Sequence, residues 1–248
     1  MMPAIENKSV DMILCDLPYG ITKNPEDKRI PFDLLWEQYT RIIKDTGVIA
    51  LFAQGIFFID LVCSNRKMFR YDLIWDKVLS SGFLNANRMP LRRHEHIAIF
   101  YKKKPTYNPQ MVMGDPSHIK GKKRFNKQIV NNNYCDFKQI EDKSLFDREK
   151  KYPSSILCFP KPHPSIMYHP TEKSIKLNEW LIRTYTNEGD TVMDNCMGSG
   201  TTGIACINTN RNFIGMEKNA EHFGSAITRI NEVLSKVITI KLSEAWKK

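Results

Sequence analysis

The sequence predicts an α/β fold, a mostly parallel sheet covered by helices and interrupted by one basic insertion. Three observations carry this. Short apolar runs alternate with helical patterns along most of the chain. A polar, basic stretch breaks that rhythm in the middle. A glycine-rich turn directly follows one apolar run and opens a helix. Strand–helix alternation implies parallel strands, because a parallel connection must cross back over the sheet and does so as a helix.

Taken in order, Val10–Cys15, Gly47–Phe52, Tyr71–Trp75, His96–Tyr101, Thr191–Asp194 and Phe213–Glu217 are the expected strands. Asp33–Lys44 is an expected helix, with Leu34, Leu35, Tyr39, Ile42 and Ile43 on one face. Gly55–Met68, Lys173–Tyr185, Thr201–Asn208 and Asn219–Ser235 are the others. In the last, Phe223, Ala226, Ile227, Ile230 and Val233 make the face that packs on the sheet. Trp36, Phe57, Phe58 and Phe69 read as core. The segment 102–165 contains Lys102–Lys104, Lys122–Arg124, Asn131–Asn133 and the prolines 160, 162 and 164, and it has no clean periodicity. It reads as an insertion between two halves of one α/β domain, 1–101 and 166–248.

At 248 residues and 42% hydrophobic, the chain can bury one sizeable core. Its first ten residues are polar and lack the apolar stretch of a signal peptide, and no apolar run approaches the roughly 18–20 residues of a membrane span. None of the six cysteines forms a C-x-x-C pair, which argues against a zinc ribbon or a thioredoxin-type site. They read as mostly buried thiols in a reducing cytoplasm. The net charge is +10, and 102–165 alone holds 14 Lys and Arg against 6 Asp and Glu. Such a basic segment suits a polyanionic partner, since its cations displace counterions from phosphates.

The most specific segment is Val192-Met193-Asp194-Asn195-Cys196-Met197-Gly198-Ser199-Gly200-Thr201-Thr202-Gly203. An apolar strand ends at an Asp, turns through Gly-x-Gly and starts a helix. Glycines let the backbone turn sharply, and the helix start offers free N–H groups to a carboxylate or phosphate. Glu217 ends the next expected strand, where a carboxylate can accept both hydroxyls of a ribose. The pair reads as a site for a nucleoside carrying an anionic group. No Gly-Lys-Ser/Thr follows, so it is not a P-loop. Gly198, Gly200 and Gly203 match the dinucleotide fingerprint literally, which keeps a nicotinamide dehydrogenase open.

A second segment, Asp16-Leu17-Pro18-Tyr19-Gly20, leaves the tip of the first strand. An exocyclic amine has two N–H donors and a poorly nucleophilic lone pair. The Asp16 carboxylate and the Pro18 carbonyl are two acceptors that can hold both hydrogens and aim that lone pair. Tyr19 can stack on an extruded base.

Together the segments resemble the amino-group DNA methyltransferases, which modify adenine N6 or cytosine N4. Their catalytic motif is Asp/Asn/Ser-Pro-Pro-Tyr/Phe, and their cofactor motif is similar to Asp-Pro-Phe-x-Gly-Ser-Gly-Thr-Thr. Here Leu17 replaces the first Pro, and Asn195-Cys196 replaces Pro-Phe. The catalytic motif precedes the cofactor motif with a basic segment between, as in the family's β-type order. Asp72–Lys77, His94–Phe100 and His169-Pro170-Thr171-Glu172-Lys173 resemble further landmarks, so the resemblance spans about 8–235.

This resemblance implies an S-adenosylmethionine-dependent methyltransferase with a Rossmann-like sheet. S-adenosyl-L-methionine would lie on Asp194, Cys196, Gly198, Ser199, Gly200, Thr201, Thr202, Glu217 and Lys173. Asp16, Pro18 and Tyr19 would hold the flipped base, adenine being favoured by the Asp at the head of the motif, with cytosine N4 the alternative. The insertion would be the target-recognition region on double-stranded DNA, through Lys122, Lys123, Arg124, Lys127, Asn131, Asn132 and Asn133. Cytosine C5 chemistry needs a nucleophilic Cys, usually in a Pro-Cys pair, and none occurs. An RNA or protein methyltransferase stays open from the cofactor motif alone. His94 and His96 share a strand face without a third ligand, and the reaction needs no metal, so none is expected. Relatives carry a further strand ahead of the catalytic one. With only Met1–Ser9 preceding Val10, the expected sheet has six members and a bare edge near the adenine end of the cofactor. A second copy of the chain or another partner would cover it, and a cognate restriction nuclease is a candidate partner.

Overall fold

The computed structural model describes residues 2–113, 150–161 and 173–245. The DNA-binding candidates Lys122, Lys123, Arg124, Lys127, Asn131, Asn132 and Asn133 lie outside them. Two compact units emerge. The larger contains residues 1–108 and 155–248, and the smaller is Pro109–Ser154. The smaller unit therefore falls inside the 102–165 span marked by composition. Its described part is a two-stranded antiparallel ladder of β5 (Val112–Met113) and β6 (Lys150–Lys151).

The larger unit is built from β1 (Val10–Asp16), α1 (Phe32–Ile42), β2 (Ile43–Ala53), α2 (Ile56–Ser64), β3 (Phe69–Ser81), β4 (Arg92–Phe100), β7 (Ile156–Cys158), α3 (Ile175–Tyr185), β8 (Thr191–Asp194), α4 (Thr201–Asn208), β9 (Asn212–Gly215) and α5 (Ala220–Ala245). Its sheet has seven strands in the order β7-β3-β4-β2-β1-β8-β9. The expected number was six. Ile156–Cys158 supplies the seventh by pairing parallel to β3 at Ile74–Asp76. Three residues in a proline-rich, basic context give no periodic signal, so this strand was invisible in the sequence. Among the described residues β9 ends the other side of the sheet with one neighbour only.

Only β4 runs against the rest, antiparallel to both β2 and β3. The carboxyl ends of the other six strands and the start of β4 thus share one edge of the sheet. From β1 the chain continues to β2 on one side, and from β8 to β9 on the other, so the order reverses between β1 and β8. Open α/β sheets bind their ligands at such a switch point, because the connecting helices diverge there and leave a crevice.

Period-two alternation divides the core between two faces. Ile13, Cys15, Ile49, Leu51 and Ala53 face α1 and α2 through Leu35, Trp36, Tyr39, Ile42, Phe57 and Leu61. Met12, Leu14, Val48, Ala50 and Phe52 face α3 and α4 through Leu177, Leu181, Ile182, Ala205 and Cys206. Each fully buried aliphatic or aromatic side chain stabilises by about 1.5–3 kcal/mol, so helices on both faces are needed to shield both rows. Leu34, expected on the apolar face of α1, is exposed, and Ile43 already belongs to β2, because the chain passes from helix to strand with no intervening loop. The five described cysteines are less buried than expected, Cys135 lying outside the described residues. Cys15 and Cys206 are enclosed, Cys196 is half-buried, and Cys63 and Cys158 are exposed. No described helix is long and apolar enough to cross a membrane.

Candidate active site

Asp16 ends β1 and Asp194 ends β8. These neighbouring parallel strands pair through Met12 with Val192 and Ile13 with Met193, so the two aspartates flank the switch point.

At the tip of β8 the carboxylate organises backbone. Asp194 is 4% exposed. Its Oδ1 accepts the Cys196 N–H at 3.0 Å, and its Oδ2 accepts the Thr202 hydroxyl at 2.7 Å. Thr202 Oγ1 in turn accepts the Asn178 side-chain amide at 3.2 Å. Burial pushes Asp194 up to about 6, against the opposing hydrogen bonds from Thr202, Cys196 and Cys15. Between these anchors the chain turns through Gly198 (φ +49) and Gly200 (φ +76), left-handed conformations that glycine adopts without penalty. A Cβ on Gly200 would also lie 3.0 Å from Ile230 Cδ1. The turn brings the Gly198 N–H to Glu217 Oε2 at 3.0 Å, while Oε1 accepts the Asn219 N–H at 2.9 Å. The Met216 N–H donates to the Asp194 carbonyl at 2.9 Å and the Met197 N–H to the Met216 carbonyl at 3.0 Å, which ties Glu217 to the turn. Ser199 and Thr201 join hydroxyls at 3.1 Å. No side chain caps α4 at Gly200, so the first-turn N–H groups, which have no intrahelical partner in any helix, are not satisfied by a capping side chain.

At the tip of β1 the carboxylate meets charge. Asp16 Oδ1 accepts the Tyr19 hydroxyl at 2.9 Å, and Oδ2 lies 2.7 Å from Lys173 Nζ. Lys173 is also 3.2 Å from Glu95 Oε2, and Lys77 donates to Glu95 Oε1 at 3.1 Å. Burial alone would lower the Lys173 pKa, but the Asp16 and Glu95 carboxylates outweigh it and hold the ammonium well above its ordinary range. Burial raises Glu95, and the two ammoniums more than reverse this. Lys161 is pushed down, first by burial and then by repulsion from Lys173 and Lys77. A cavity of about 270 Å³ opens beside this cluster, lined among others by Gln54, Lys77, Asn85, Arg92, Glu95 and Lys161.

The structure thus gathers the sequence candidates into two groups. Asp194, Cys196, Gly198, Ser199, Gly200, Thr201, Thr202 and Glu217 stand at β8, and Asp16, Pro18 and Tyr19 at β1. Lys173, expected with the first group, has its ammonium on Asp16 in the second. Tyr19 does more than offer a ring. Its hydroxyl binds Asp16, and Phe57 stacks on it at 4.7 Å, so Phe57 is part of this site as well as of the core. His96 holds Asp72 at 2.8 Å and stacks on Phe58. Glu95 and Lys77 were missed. The alternation His94-Glu95-His96 already placed Glu95 on the opposite face from both histidines, and that was the available signal. Asp27 was missed as well. It accepts the N–H groups of Gly20, Ile21 and Thr22 at 2.7, 3.0 and 2.7 Å, which shapes the loop after Tyr19.

A family profile described as DNA methylase, of the N6/N4 type, matches residues 10–228. The chain belongs to this DNA methylase family. It is 27% identical over 242 residues to the DNA adenine methyltransferase YhdJ of Escherichia coli, covering 92% of this chain and 78% of that protein. It is likewise 27% identical over 257 residues to the type II methyltransferase M1.MboII of Moraxella bovis, covering 92% of each. Among solved structures, the complex of M1.HpyAVI with SAM superposes with a TM-score of 0.60 at 25% identity, over 92% of this chain and 91% of that one. The cytosine-N4-specific PvuII DNA methyltransferase superposes at 0.63 with 14% identity, over 96% and 89%, a likeness of fold. For this DNA methylase, the dehydrogenase reading of the three glycines falls away.

Proposed function

We propose that this DNA methylase moves a methyl group from S-adenosylmethionine to the N6 amine of an adenine flipped out of double-stranded DNA. The observation that carries the reading is the pair of strand tips beside the switch point. One bears a charged acceptor, and the other a glycine turn latched to an acidic side chain.

The residues at β8 fit the methyl donor. The uncapped first turn of α4 presents N–H groups to a carboxylate. Glu217 has one lone pair per oxygen taken by a backbone N–H, and the remaining ones suit the two hydroxyls of a ribose. Gly198 and Gly200 keep side chains out of the turn. When bound, the donor supplies a methyl group made electrophilic by its sulfonium.

At β1, Asp16 has one lone pair per oxygen taken, by Tyr19 and by Lys173. The others face the work of accepting an N–H of the target amine, with the Pro18 carbonyl taking the second. Holding both hydrogens directs the nitrogen lone pair away from the ring and towards the donor. A base within a duplex cannot reach a carboxylate at a strand tip, so the target leaves the stack. The adenine choice rests on Asp at the head of the catalytic motif and on the relative YhdJ, named a DNA adenine methyltransferase. The segment 102–165 is proposed as the target-recognition region that grips the DNA. Neutralising Lys122, Lys123 and Arg124 together should lower the slope of log K against log salt by about 0.9 for every phosphate that these side chains neutralise.

The test is transfer of label from tritiated S-adenosylmethionine to DNA, followed by analysis of the modified base. Label in N6-methyladenine is the expected result. Label in N4-methylcytosine, in RNA or in protein would overturn the substrate assignment.

A further inference from the structure

We propose that Lys173 is a positioning residue for methyl transfer, holding the Asp16 carboxylate through a buried chain Asp16–Lys173–Glu95–Lys77. The inference rests on the reading of Asp16 as the amine-holding residue and extends it to groups that never touch the base.

The chain alternates in sign. Asp16 Oδ2 and Lys173 Nζ are 2.7 Å apart, Lys173 and Glu95 Oε2 3.2 Å, and Glu95 Oε1 and Lys77 Nζ 3.1 Å. The two inner members are well buried, with 12% of the Lys173 side chain and 13% of the Glu95 side chain exposed. The Lys173 ammonium also lies 5.1 Å from the Phe52 ring and 5.9 Å from that of Trp75. Its position is therefore set by four groups on β1, β2, β3 and β4, the four strands that converge at this edge. Lys173 itself precedes α3, so one side chain ties the tip of β1 to the start of the second half of the domain.

Stability alone does not explain such a chain. Each buried ion costs several kcal/mol to desolvate, and well-packed apolar residues of similar volume stabilise as well or better. What the ions add is direction. The Asp16 carboxylate is gripped at both oxygens, by a hydroxyl and by an ammonium, which leaves its remaining lone pairs in a fixed plane. Glu95 has a second effect. An ammonium paired with Asp16 alone would neutralise the charge that the target amine must feel. Sharing Lys173 with Glu95 divides its field between two carboxylates and leaves Asp16 a strong acceptor. The Lys173 ammonium sits closer to Asp16 Oδ2, at 2.7 Å, than to Glu95 Oε2, at 3.2 Å.

The experiment compares Lys173→Met, Lys173→Arg, Glu95→Gln and Asp16→Ala in the full chain. It reads turnover on DNA and, separately, S-adenosylmethionine affinity by calorimetry. Lys173→Met should lower kcat by about 10²-fold, the scale of losing one preorganised polar group, with cofactor Kd within a few-fold of wild type. Lys173→Arg should restore roughly tenfold of that, because it keeps the charge with altered reach. Glu95→Gln should lower kcat by about tenfold at unchanged cofactor Kd, and it carries the test if Lys173→Met does not fold. Wild-type kcat in both Lys173→Met and Glu95→Gln would overturn the inference. So would a fall in cofactor affinity as large as the fall in kcat, which would make Lys173 a cofactor ligand. Asp16→Ala separates the two levels. If it turns over normally, the reading of Asp16 is wrong. If it is inactive while the other variants are normal, only the positioning role is wrong.

Discussion

Two aspartates end neighbouring parallel strands at the same edge of one sheet, and their surroundings are opposites. Asp16 meets an ammonium at 2.7 Å that is itself braced by Glu95. Asp194 is deeper, 4% exposed, and is held by a backbone N–H and a hydroxyl with no ion pair among the described residues. Burial therefore drives Asp194 up to about 6, whereas a cation stands against Asp16. The same residue type at equivalent strand ends faces an ammonium in one place and serves as a hydrogen-bond hub in the other. The difference arises from what the following loop and the facing helix deliver. The β1 side receives Lys173 from the start of α3. The β8 side receives Thr202 and Asn178, both neutral.

The largest effect should come from breaking the charged side. Asp16→Ala is expected to lower kcat by roughly 10²-fold or more while leaving S-adenosylmethionine affinity near wild type, because the carboxylate is proposed to act on the amine alone. Calorimetry beside a turnover assay separates the two. Near-normal turnover would remove the functional contrast between the tips.

The next effect tests the cofactor side. Glu217→Ala should weaken S-adenosylmethionine by about 2–3 kcal/mol, or roughly 30- to 150-fold in Kd, as charge-assisted hydrogen bonds disappear. The variant also frees the Gly198 and Asn219 N–H groups that latch the turn, so part of the effect is a looser loop. DNA affinity measured without cofactor should not change. Equal cofactor affinity in wild type and variant would place the ribose elsewhere.

The β8 side was far more legible in the sequence than the β1 side. Asp194, Gly198, Gly200, Thr202 and Glu217 lie within 24 residues, and local geometry dictates their relation. A strand, a glycine turn and a helix start can be read off their order. The Asp16 cluster draws on Lys77, Glu95 and Lys173, spread over 158 positions of chain, and no local pattern links them. Only the resemblance pointed to Lys173, and it gave no sign of the Asp16 and Glu95 carboxylates that its ammonium meets. For the same reason the central strands were recognised from their apolar runs, while Ile156–Cys158 was not. That strand pairs with β3 because an edge was left open, and its own residues carry no alternation. The strand Phe213–Glu217 was placed slightly late. It ends at Gly215, so Glu217 sits in the loop beyond, free of the ladder and able to fold back on the Gly198 N–H.

The smallest net effect is expected from Asp194→Asn, and its sign depends on pH. Burial raises the folded-state pKa from 3.8 to about 6. A raised carboxylate pKa means that the folded protein binds the proton more tightly than the unfolded chain. The contribution of Asp194 to stability is then fully present below about pH 4 and is lost as pH rises through about 6. Two pKa units correspond to about 3 kcal/mol. Replacement by Asn removes that loss at neutral pH. It also removes one of the two acceptors, now used by the Cys196 N–H and the Thr202 hydroxyl, at about 1.5–3 kcal/mol. The two terms oppose each other, so at pH 7 the variant should melt close to wild type. At pH 4 only the hydrogen-bond loss remains, and the variant should melt lower. Thermal melts of both proteins between pH 4 and 7.5 check this through the difference in Tm alone, which cancels every other titrating group. That difference should rise in favour of the variant up to about pH 6 and then level off. A constant offset across the range would mean that Asp194 does not titrate differently in the folded protein.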